Sequence, residues 1–321
     1  MFAIEVKNIS KNYLSEKSGK FIGLGGSPIR NDDNKVPEPG VNFNVNRGEI
    51  FGLIGPDGAG KTTLFRILTT LILADSGSAT VDGFDVVTDY KEIRKRVGYM
   101  PGKFSLYQDL TVEENLNFFA TVFNTTIEEN YELIKDIYQQ IEPFKNRRAG
   151  KLSGGMKQKL ALSCALIHKP SVLFLDEPTT GVDPVSRKEF WGMLKSLKAQ
   201  GITILVSTPY MDEASLCDRI VLIQNGQLLK IDTPKNIVSQ YENKLWAVQS
   251  DNMYQLLIDL RNNELTSNCF AFGDKHHVSV QSGKLTVDSL NNYLQLKEHT
   301  QIEIREIEPT IEDCFMQLSQ K

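Results

Sequence analysis

The sequence predicts an α/β fold, in which a mostly parallel β-sheet is flanked by helices. Short apolar runs typical of buried strands alternate with helical patterns from about residue 41 to residue 232. The run GEIFGLI leads through a glycine-rich loop into an apolar helix, and a later run, VLFL, ends in two acidic residues. From residue 241 the pattern changes to weaker strands of alternating polarity, which predict a small α+β C-terminal domain over 241–321.

The bulk composition narrows the class of protein. The 321 residues are 40% hydrophobic and 24% charged, as in an ordinary globular domain, and the net charge is −4. That acidic balance argues against a nucleic-acid partner, which requires a basic face. Four scattered cysteines without a C-x-x-C pair predict reduced thiols in a cytoplasmic protein. No apolar run approaches the roughly 20 residues that cross a bilayer, so we expect another chain to span any membrane involved.

Residues 55–62 read GPDGAGKT, the pattern of a phosphate-binding loop, between a strand and a helix. Its three glycines let the backbone curl, so that consecutive N–H groups point at phosphate oxygens. The following helix adds the positive end of its dipole. Lys61 supplies a full charge to the phosphates, and the Thr62 hydroxyl is placed to bind Mg²⁺. The motif therefore predicts binding of a nucleoside triphosphate.

The run VLFLDEP predicts the second half of this site. Its four apolar residues suit a strand that is buried on both faces and delivers Asp176 to the edge of the sheet beside the phosphate loop. We expect Asp176 to hold Mg²⁺ and the adjacent Glu177 to orient and polarise the attacking water. Two carboxylates after an apolar strand are common by chance, but together with the phosphate loop they become a specific signal.

The run LSGGM at 152–156 precedes a helical pattern, with Ser153 as the predicted N-cap. Two interpretations are open for it. The run is either an ordinary cap with a flexible approach, or a second phosphate cradle made of a hydroxyl, two glycines and a helix N-terminus.

Other segments carry structural predictions. Residues 109–149 read as helical, and Thr111 with Glu114 predicts a capping box at the start. A further helix is predicted near 210–217, and the run RIVLIQNGQLLKI predicts a hairpin. Residues 15–40, rich in Gly and Pro, predict a loop or insertion, and the run GLGGSP within it is interpreted as a linker.

The histidines predict no metal site. Adjacent strand residues point to opposite faces, so His276 and His277 are predicted to be surface residues. His168 lies at a predicted helix end, where it would interact favourably with the helix dipole.

Four motifs, in order and spacing, resemble an ABC-transporter ATPase subunit. They are the Walker A loop at 55–62, LSGGM at 152–156, LFLDEP at 173–178 and TTGVDP at 179–184. The sequences of these motifs are most similar to those of ATPases that serve ABC-2-type export permeases of the multidrug or antibiotic efflux kind. The resemblance implies a P-loop NTPase domain over 1–240 with a helical subdomain at about 100–155. The C-terminal EPTIEDCF resembles the motif that ends the accessory domain of such subunits.

The resemblance also implies roles for individual residues, with ATP and Mg²⁺ as cofactors. The implied ATP-binding residues are Tyr13, stacking on adenine, and Gly55, Pro56, Asp57, Gly58, Ala59, Gly60, Lys61, Thr62 and Thr63. Glu177 is the implied catalytic residue, and Thr62 and Asp176 are the implied Mg²⁺ ligands. The residues that would contact ATP held by a second ATPase subunit are Ser153, Gly154, Gly155 and Met156. Asp183 would belong to the loop that links the two sites. The segment 99–123, with Phe104 and Tyr107, would form the groove for the permease.

Three positions depart from the family pattern. Gly102 stands where the family usually has a Gln that touches Mg²⁺ and the attacking water, and Pro209 stands where it usually has a switch His. Pro209 suits the first turn of the helix expected there. Asp57 stands where Asn is common. The insertion at 15–40 places the register of Tyr13 over adenine in question.

Two functions follow, and they differ in the rate of hydrolysis. In one, Glu177 suffices, and the chain is an ATPase that drives export through a separate ABC-2-type permease. In the other, the chain binds ATP but hydrolyses it slowly, as the degenerate half of a heterodimer. Either subunit would be cytoplasmic and peripheral on the inner face of the membrane. A non-transport ABC ATPase of translation or DNA repair is disfavoured, because there is no tandem second ATPase domain and no basic face.

Overall fold

The computed structural model describes residues 1–14, 21–24, 40–280 and 285–320. The chain divides into two compact units, Met1–Pro234 and Lys235–Lys321. The predicted division after residue 240 therefore falls inside the second unit. The reason is local packing: the Cys314 Sγ lies 3.7 Å from the carbonyl oxygen of Ile237, which ties the segment after Pro234 to the C-terminal helix.

The first unit contains strands that alternate with helices, as predicted. The strands are β1 (Ile4–Leu14), β2 (Phe21–Leu24), β3 (Val41–Val45), β4 (Ile50–Ile54), β5 (Ser76–Val81), β6 (Phe84–Asp85), β7 (Val97–Met100), β8 (Val172–Asp176), β9 (Thr203–Thr208), β10 (Arg219–Gln224) and β11 (Gln227–Asp232). The helices are α1 (Lys61–Leu68), α2 (Tyr90–Arg96), α3 (Val112–Val122), α4 (Tyr131–Tyr138), α5 (Gly154–Leu166) and α6 (Pro184–Ala199). Short 3-10 turns are Glu142–Phe144, Ala149–Lys151 and Met211–Leu216.

Two sheets organise these strands. In the six-stranded sheet the order is β11-β10-β4-β9-β8-β7, and every pairing is parallel except the β10–β11 hairpin. Every residue of β4, β8 and β9 is buried, as expected of parallel strands covered on both faces. The hairpin turns at Asn225 and Gly226, which both have positive φ and match the Asn-Gly turn that the sequence predicts. The α/β prediction is confirmed.

The antiparallel sheet of the first unit has the order β2-β1-β5-β6, with β3 also paired to β1. It shares one core with α1 and the large sheet. Phe43 stacks on Phe51 at 5.6 Å, and Phe65 meets Phe174 edge-on at 5.8 Å, both measured between ring centroids. This core anchors the two elements, β4 and α1, that flank the phosphate loop.

The predicted helical stretch 109–149 is broken in the structure. The capping box is confirmed, since the Thr111 Oγ accepts from the Glu114 N–H at 3.2 Å and the Glu114 carboxylate accepts from the Thr111 N–H at 2.7 Å. However, α3 ends soon afterwards because Asn124 has φ of 53°, a left-handed conformation that an α-helix cannot continue through. The rest of the stretch is α4 and 3-10 turns.

Two loop and helix predictions are wrong in detail. Residues 21–24 form a strand, not a loop, because they pair with β1, and Leu24 is fully buried in the core. The rest of the predicted insertion, 15–20 and 25–39 with most of GLGGSP, lies outside the described residues. The helix predicted near 210–217 is a 3-10 helix, Met211–Leu216, so Pro209 precedes it rather than lying in its first turn.

The second unit is a four-stranded antiparallel sheet with helices, as the α+β prediction required. The sheet order is β13-β14-β12-β15. Its elements are α7 (Pro234–Ser239, beginning at the boundary), β12 (Lys244–Gln249), α8 (Met253–Asn262), β13 (Thr266–Phe272), β14 (Lys275–Val280), α9 (Val287–Leu296), β15 (Glu303–Ile307) and α10 (Ile311–Leu318). No helix in the described ranges is long and apolar enough to cross a membrane.

The predicted surroundings of His168, His276 and His277 are wrong for a common reason: each ring is packed against a neighbouring element. His276 is buried and its Nε2 lies 2.7 Å from the carbonyl oxygen of Met253. His277 pairs with Asp313 at 2.7 Å. His168 stacks on Phe123, and burial lowers its pKa to about 4, so it is neutral at pH 7 and makes no charge–dipole contact.

Candidate nucleotide site

The phosphate loop joins the end of β4 to the start of α1. Gly58 and Gly60 have φ of 80° and 102°, a region that side chains with a Cβ rarely enter. Gly60 caps α1 without a side-chain hydrogen bond, and the first turn has no acidic residue. Among the described residues, the N–H groups of Lys61 and Thr62 have no acceptor, as expected at a helix N-terminus. The loop therefore presents free backbone donors to an anion.

Lys61 lies under this loop. Its side chain is only 3% exposed, and its Nζ donates to the carbonyl oxygens of Gly55 at 2.8 Å and Pro56 at 3.0 Å. The same nitrogen forms an ion pair with the Glu177 Oε1 at 3.1 Å. The structure thus brings together Lys61 and Glu177, which stand 116 positions apart in the chain. Asp57, by contrast, is exposed on the outside of the loop.

The six-stranded sheet sets the positions of the two carboxylate residues, Asp176 and Glu177. Parallel strands end at the same edge, and the register of β8 and β9 sets Asp176 opposite Ser207. Asp176 is 3% exposed, and its Oδ1 accepts a hydrogen bond from the Ser207 hydroxyl at 2.6 Å. Glu177 keeps 23% of its side chain exposed. Asp176 is therefore held rigidly, and Glu177 faces the surface.

The site suits Mg²⁺ by its donor chemistry. The Thr62 hydroxyl is half-buried and has no hydrogen-bond partner in the described part of the chain, and Asp176 provides a carboxylate oxygen. An alcohol and a carboxylate are hard oxygen donors, which Mg²⁺ prefers. No group of three or more His, Cys, Asp or Glu residues in the described ranges could hold a metal alone.

The LSGGM run caps α5. The Ser153 Oγ accepts from the Met156 N–H at 3.4 Å, and Ser153 and Gly154 are exposed. A Cβ on Gly155 would come within 2.7 Å of the Ser186 Oγ, so a glycine is needed for α6 to approach α5. No hydrogen bond among the described residues joins this run to residues 55–63. Ser153 and Gly154 are thus accessible at the protein surface.

Asp183 caps the neighbouring helix α6. Its Oδ1 accepts from the N–H groups of Val185 at 3.1 Å and Ser186 at 3.0 Å. Hydrogen bonds, from the Ser186 amide above all, hold the pKa of the Asp183 carboxyl below its usual range. The segment before it forms a backbone turn that begins at Glu177, since the Thr180 N–H donates to the Glu177 carbonyl oxygen at 3.2 Å.

Of the three remaining positions, Gly102 and Pro209 lie beside residues of this site. A Cβ at Gly102 would stand 3.0 Å from the Asp176 carbonyl oxygen, so a side chain there would begin beside the carboxylates. Pro209 directly follows Thr208, whose carbonyl oxygen accepts from the Gly55 N–H at 3.3 Å. Tyr13 is 43% exposed at the end of β1. Its ring is open to stacking.

One polar residue of this site was missed by the sequence interpretation. Ser207 bonds the Asp176 carboxylate and the backbone N–H of Glu177, and the signal that could have found it is a hydroxyl residue ending the apolar run ITILVS. The strand carrying that run lies beside the strand that carries Asp176. The order of strands in a parallel sheet cannot be read from the sequence. The proximity of Ser207 to Asp176 is therefore seen only in the folded structure.

Fold and site together define a P-loop nucleotide-binding α/β domain. Comparison with known proteins specifies the class further. A family model described as ABC transporter matches residues 39–180. The probable multidrug ABC transporter ATP-binding protein YbhF of Escherichia coli (strain K12) is 47% identical over 208 residues, which cover 64% of this chain and 36% of that protein. The chain thus spans about a third of the length of this relative.

Another relative matches along most of both chains. The Nod factor export ATP-binding protein I of Rhizobium sp. (strain N33) is 33% identical over 290 residues, covering 89% of this chain and 92% of that protein. A solved structure titled as the ATP binding subunit of an ABC transporter is similar at a TM-score of 0.62 and 27% identity, covering 74% of this chain and 93% of that one. The chain belongs to the family of ABC transporter ATP-binding proteins.

Proposed function

We propose that this chain is the ATP-binding subunit of an ABC-type export system and couples ATP binding and hydrolysis to transport through a separate ABC-2-type permease. The observation that carries the proposal is the meeting of Lys61 and Glu177 at 3.1 Å, beside free N–H groups of the phosphate loop. The names of the relatives, a multidrug ABC transporter ATP-binding protein and a Nod factor export ATP-binding protein, support export as the direction. Such a subunit is cytoplasmic and peripheral to the inner face of the membrane.

The chemistry assigned to each residue follows from its surroundings. The N–H groups of Lys61 and Thr62 and the Lys61 ammonium bind the β- and γ-phosphates, because they are preoriented donors at a helix N-terminus. Thr62 and Asp176 would hold Mg²⁺, which would supply positive charge to neutralise the phosphates. Glu177 accepts the proton of the attacking water, since its side chain is the exposed carboxylate of the pair. Tyr13 stacks on the adenine ring.

A second ATPase subunit completes the site in this proposal. Ser153, Gly154, Gly155 and Met156 contact ATP held by the partner, and Asp183 lies in the loop that links the two sites. The exposure of Ser153 and Gly154 and the lack of any hydrogen bond from this run to residues 55–63 support contact across an interface. A similar solved structure, 25% identical at a TM-score of 0.60, is titled as a dimeric post-hydrolysis state of the ATP-binding cassette MJ0796 bound to ADP and Pi.

The permease is assigned to the segment 99–123. Tyr107 and Phe118 are half-exposed apolar rings in edge contact, with centroids 4.8 Å apart. Phe104 lines a cavity of about 190 Å³ between this segment and α5, together with Gly102. Exposed aromatic side chains beside a cavity are suited to receive a partner's helix.

The test is steady-state ATP hydrolysis by the purified full chain, after ATP binding has been established by a fluorescent nucleotide. We expect Glu177→Gln to reduce turnover by about 10²-fold or more while retaining ATP binding. The matched control is Glu132→Gln, which removes a carboxylate whose side chain is 83% exposed and far along the chain from the site. Equal turnover in wild type and Glu177→Gln would refute the catalytic assignment.

The alternative, an ATP-binding half that hydrolyses slowly, is favoured by Gly102 and Pro209. Neither residue has a side-chain hydrogen-bonding group to offer the γ-phosphate or the water. ATP binding without turnover, followed by a gain of turnover in Gly102→Gln or Pro209→His, would support this alternative. Turnover in the wild type alone, unchanged by either substitution, would exclude it.

A further inference from the structure

We infer that Ser207 is a positioning residue that holds Asp176 and Glu177 in their working geometry through one hydroxyl group. The inference rests on the proposed ATPase function, but it concerns a residue to which none of the four motifs assigns a role. Ser207 is fully buried near the end of β9, directly opposite Asp176 on β8.

The hydroxyl bonds both carboxylate residues at once. It donates its only proton to the Asp176 Oδ1 at 2.6 Å and accepts the Glu177 N–H at 3.0 Å. The direction of each bond is dictated by chemistry, because an ionised carboxylate only accepts and an amide N–H only donates. A serine or threonine hydroxyl satisfies both demands, and an apolar side chain satisfies neither.

The first bond orients Asp176. With Oδ1 engaged by Ser207, the carboxylate cannot rotate, and Oδ2 is the oxygen left for a metal. Partners of this kind fix the direction and basicity of a metal-binding carboxylate. Asp176 itself is almost fully buried, so water cannot replace the lost donor without entering the core.

The second bond holds an uncommon backbone conformation. Glu177 has φ of 50°, a left-handed geometry that non-glycine residues seldom adopt and that persists only when its surroundings impose it. Those surroundings are the Ser207 Oγ and the Ser207 carbonyl oxygen, both accepting the Glu177 N–H, the latter at 3.1 Å. This backbone geometry aims the Glu177 side chain at Lys61.

Strand β9 contains a second buried hydroxyl residue, which serves as a control for a purely structural role. Thr203, at the other end of the strand, is 2% exposed, and its Oγ1 accepts the Gly48 N–H at 3.0 Å. Both residues bury a hydroxyl and bond a backbone N–H from a neighbouring segment. Only Ser207 also bonds a carboxylate of the site, so a difference between the two positions isolates the positioning role.

The test compares Ser207→Ala, Ser207→Thr and Thr203→Ala in the full chain. Besides the KM for ATP, three quantities are measured: turnover at saturating ATP, the Mg²⁺ concentration at half-maximal turnover, and the Mn²⁺ affinity of the ADP-loaded chain by electron paramagnetic resonance. For Ser207→Ala we expect turnover and Mn²⁺ affinity each to fall by about 10- to 100-fold, with the KM for ATP changed by less than about threefold. Ser207→Thr restores all three quantities because it keeps the hydroxyl.

Several results would overturn the inference. One is Ser207→Ala matching Thr203→Ala in turnover and in Mn²⁺ affinity. Another is Ser207→Thr being as impaired as Ser207→Ala while both remain folded by thermal melting. If Ser207→Ala does not fold, Ser207→Cys replaces it, because a thiol occupies similar space but is a weak donor; Mn²⁺ affinity equal to wild type in that variant would count against positioning.

The proposed function and this inference fail in distinguishable ways. If the wild-type chain has no turnover, the proposed activity is at fault, and the Mn²⁺ affinities of the ADP-loaded variants still test Ser207. If the wild type turns over ATP and Ser207→Ala does so equally well with equal Mn²⁺ affinity, the function stands and the positioning role is refuted.

Discussion

Both compact units bury polar side chains, but they use them differently. In the first unit, Lys61, Asp176 and Ser207 gather at one edge of a parallel sheet, beside backbone N–H groups that have no acceptor among the described residues. In the second unit, Asp259 and His299 bond each other at 3.1 Å inside the domain. The comparison teaches that a buried polar cluster is not by itself a site. What distinguishes the site is hydrogen-bonding capacity left open toward solvent.

The second cluster is closed by its own members. The His299 Nδ1 lies 3.2 Å from the Ser250 Oγ, and the Asp259 carboxylate also accepts from the Gln255 side chain at 3.0 Å. The Asp259 carbonyl oxygen accepts from the Tyr293 hydroxyl at 3.0 Å. These bonds tie α8 to α9 and to the segment before β15. A Ser, a His and an Asp in one chain of bonds here serve packing.

The largest expected effect is at Lys61. Lys61→Ala removes the buried cation that would bind the phosphates in the proposed function and leaves Glu177 without its ion-pair partner, so we expect turnover to fall by about 10²- to 10³-fold. The measurement is steady-state hydrolysis at saturating ATP. Lys135→Ala, which removes a half-exposed lysine of α4, serves as the control and should match wild type. A Lys61→Ala turnover within tenfold of wild type would contradict the conclusion that the polar cluster of the first unit is a functional site.

The next prediction concerns the pH dependence of stability and a side chain of the first unit outside the polar cluster. His168 is half-buried, and its Nε2 lies 3.0 Å from the Val97 carbonyl oxygen. Its pKa is lowered to about 4, chiefly by burial, against about 6.5 when unfolded. Between these values the unfolded chain binds more protons, so stability is complete above pH 6.5 and is lost as the pH falls toward 4, by up to about 3 kcal/mol.

The variant His168→Gln carries no titrating group at this position. We therefore expect its unfolding free energy, measured in urea at pH 4.5 to 7.5, to depend less steeply on pH than that of wild type. Near pH 7 its turnover should be unchanged, since His168 touches no residue of the phosphate loop. Parallel pH dependence in the two proteins would show that His168 is not buried in its neutral form.

In the second unit we expect a substitution in the polar cluster to lower the stability of the protein and to leave ATP hydrolysis unchanged. Asp259→Ala leaves His299 and Gln255 without their buried partner, which costs about 1–3 kcal/mol of unfolding free energy. ATP hydrolysis should match wild type. Asp288→Ala, an exposed aspartate in the first turn of α9, is the control and should cost less than about 0.5 kcal/mol. Loss of turnover in folded Asp259→Ala would assign the second unit a direct part in hydrolysis.

The smallest effects separate two helix caps. Thr310 caps α10 and bonds Asp313 at 2.7 Å, so Thr310→Ala should cost about 1 kcal/mol and leave turnover intact. Ser153 caps α5 through a 3.4 Å bond and is exposed, so Ser153→Ala should cost less, about 0.5 kcal/mol, yet reduce turnover. Urea unfolding and ATP hydrolysis of both variants measure the contrast. Unchanged turnover in Ser153→Ala would remove this serine from the proposed interface.

Much of the first unit is predictable because its signals are local. A glycine-rich loop between a strand and a helix, a capping box at Thr111 and an Asn-Gly turn each depend on a few consecutive residues. Predictions failed where distant residues decide the outcome. Phe21–Leu24 form a strand because they pair with β1, and neighbouring helices or strands shield the buried histidines from solvent. Local patterns contain no information on such neighbours.

The strand–loop–helix at 55–62, the acidic pair at 176–177 and the change of pattern near residue 241 are all readable from the amino-acid order alone. This is because backbone conformation and periodicity are set within a few residues. The ion pair of Lys61 with Glu177, and the bonds of Ser207 to Asp176 and Glu177, are visible only in the folded chain. The physical reason is strand order: β4, β9 and β8 are neighbours in the sheet although they are far apart in the chain, and their shared edge assembles the site.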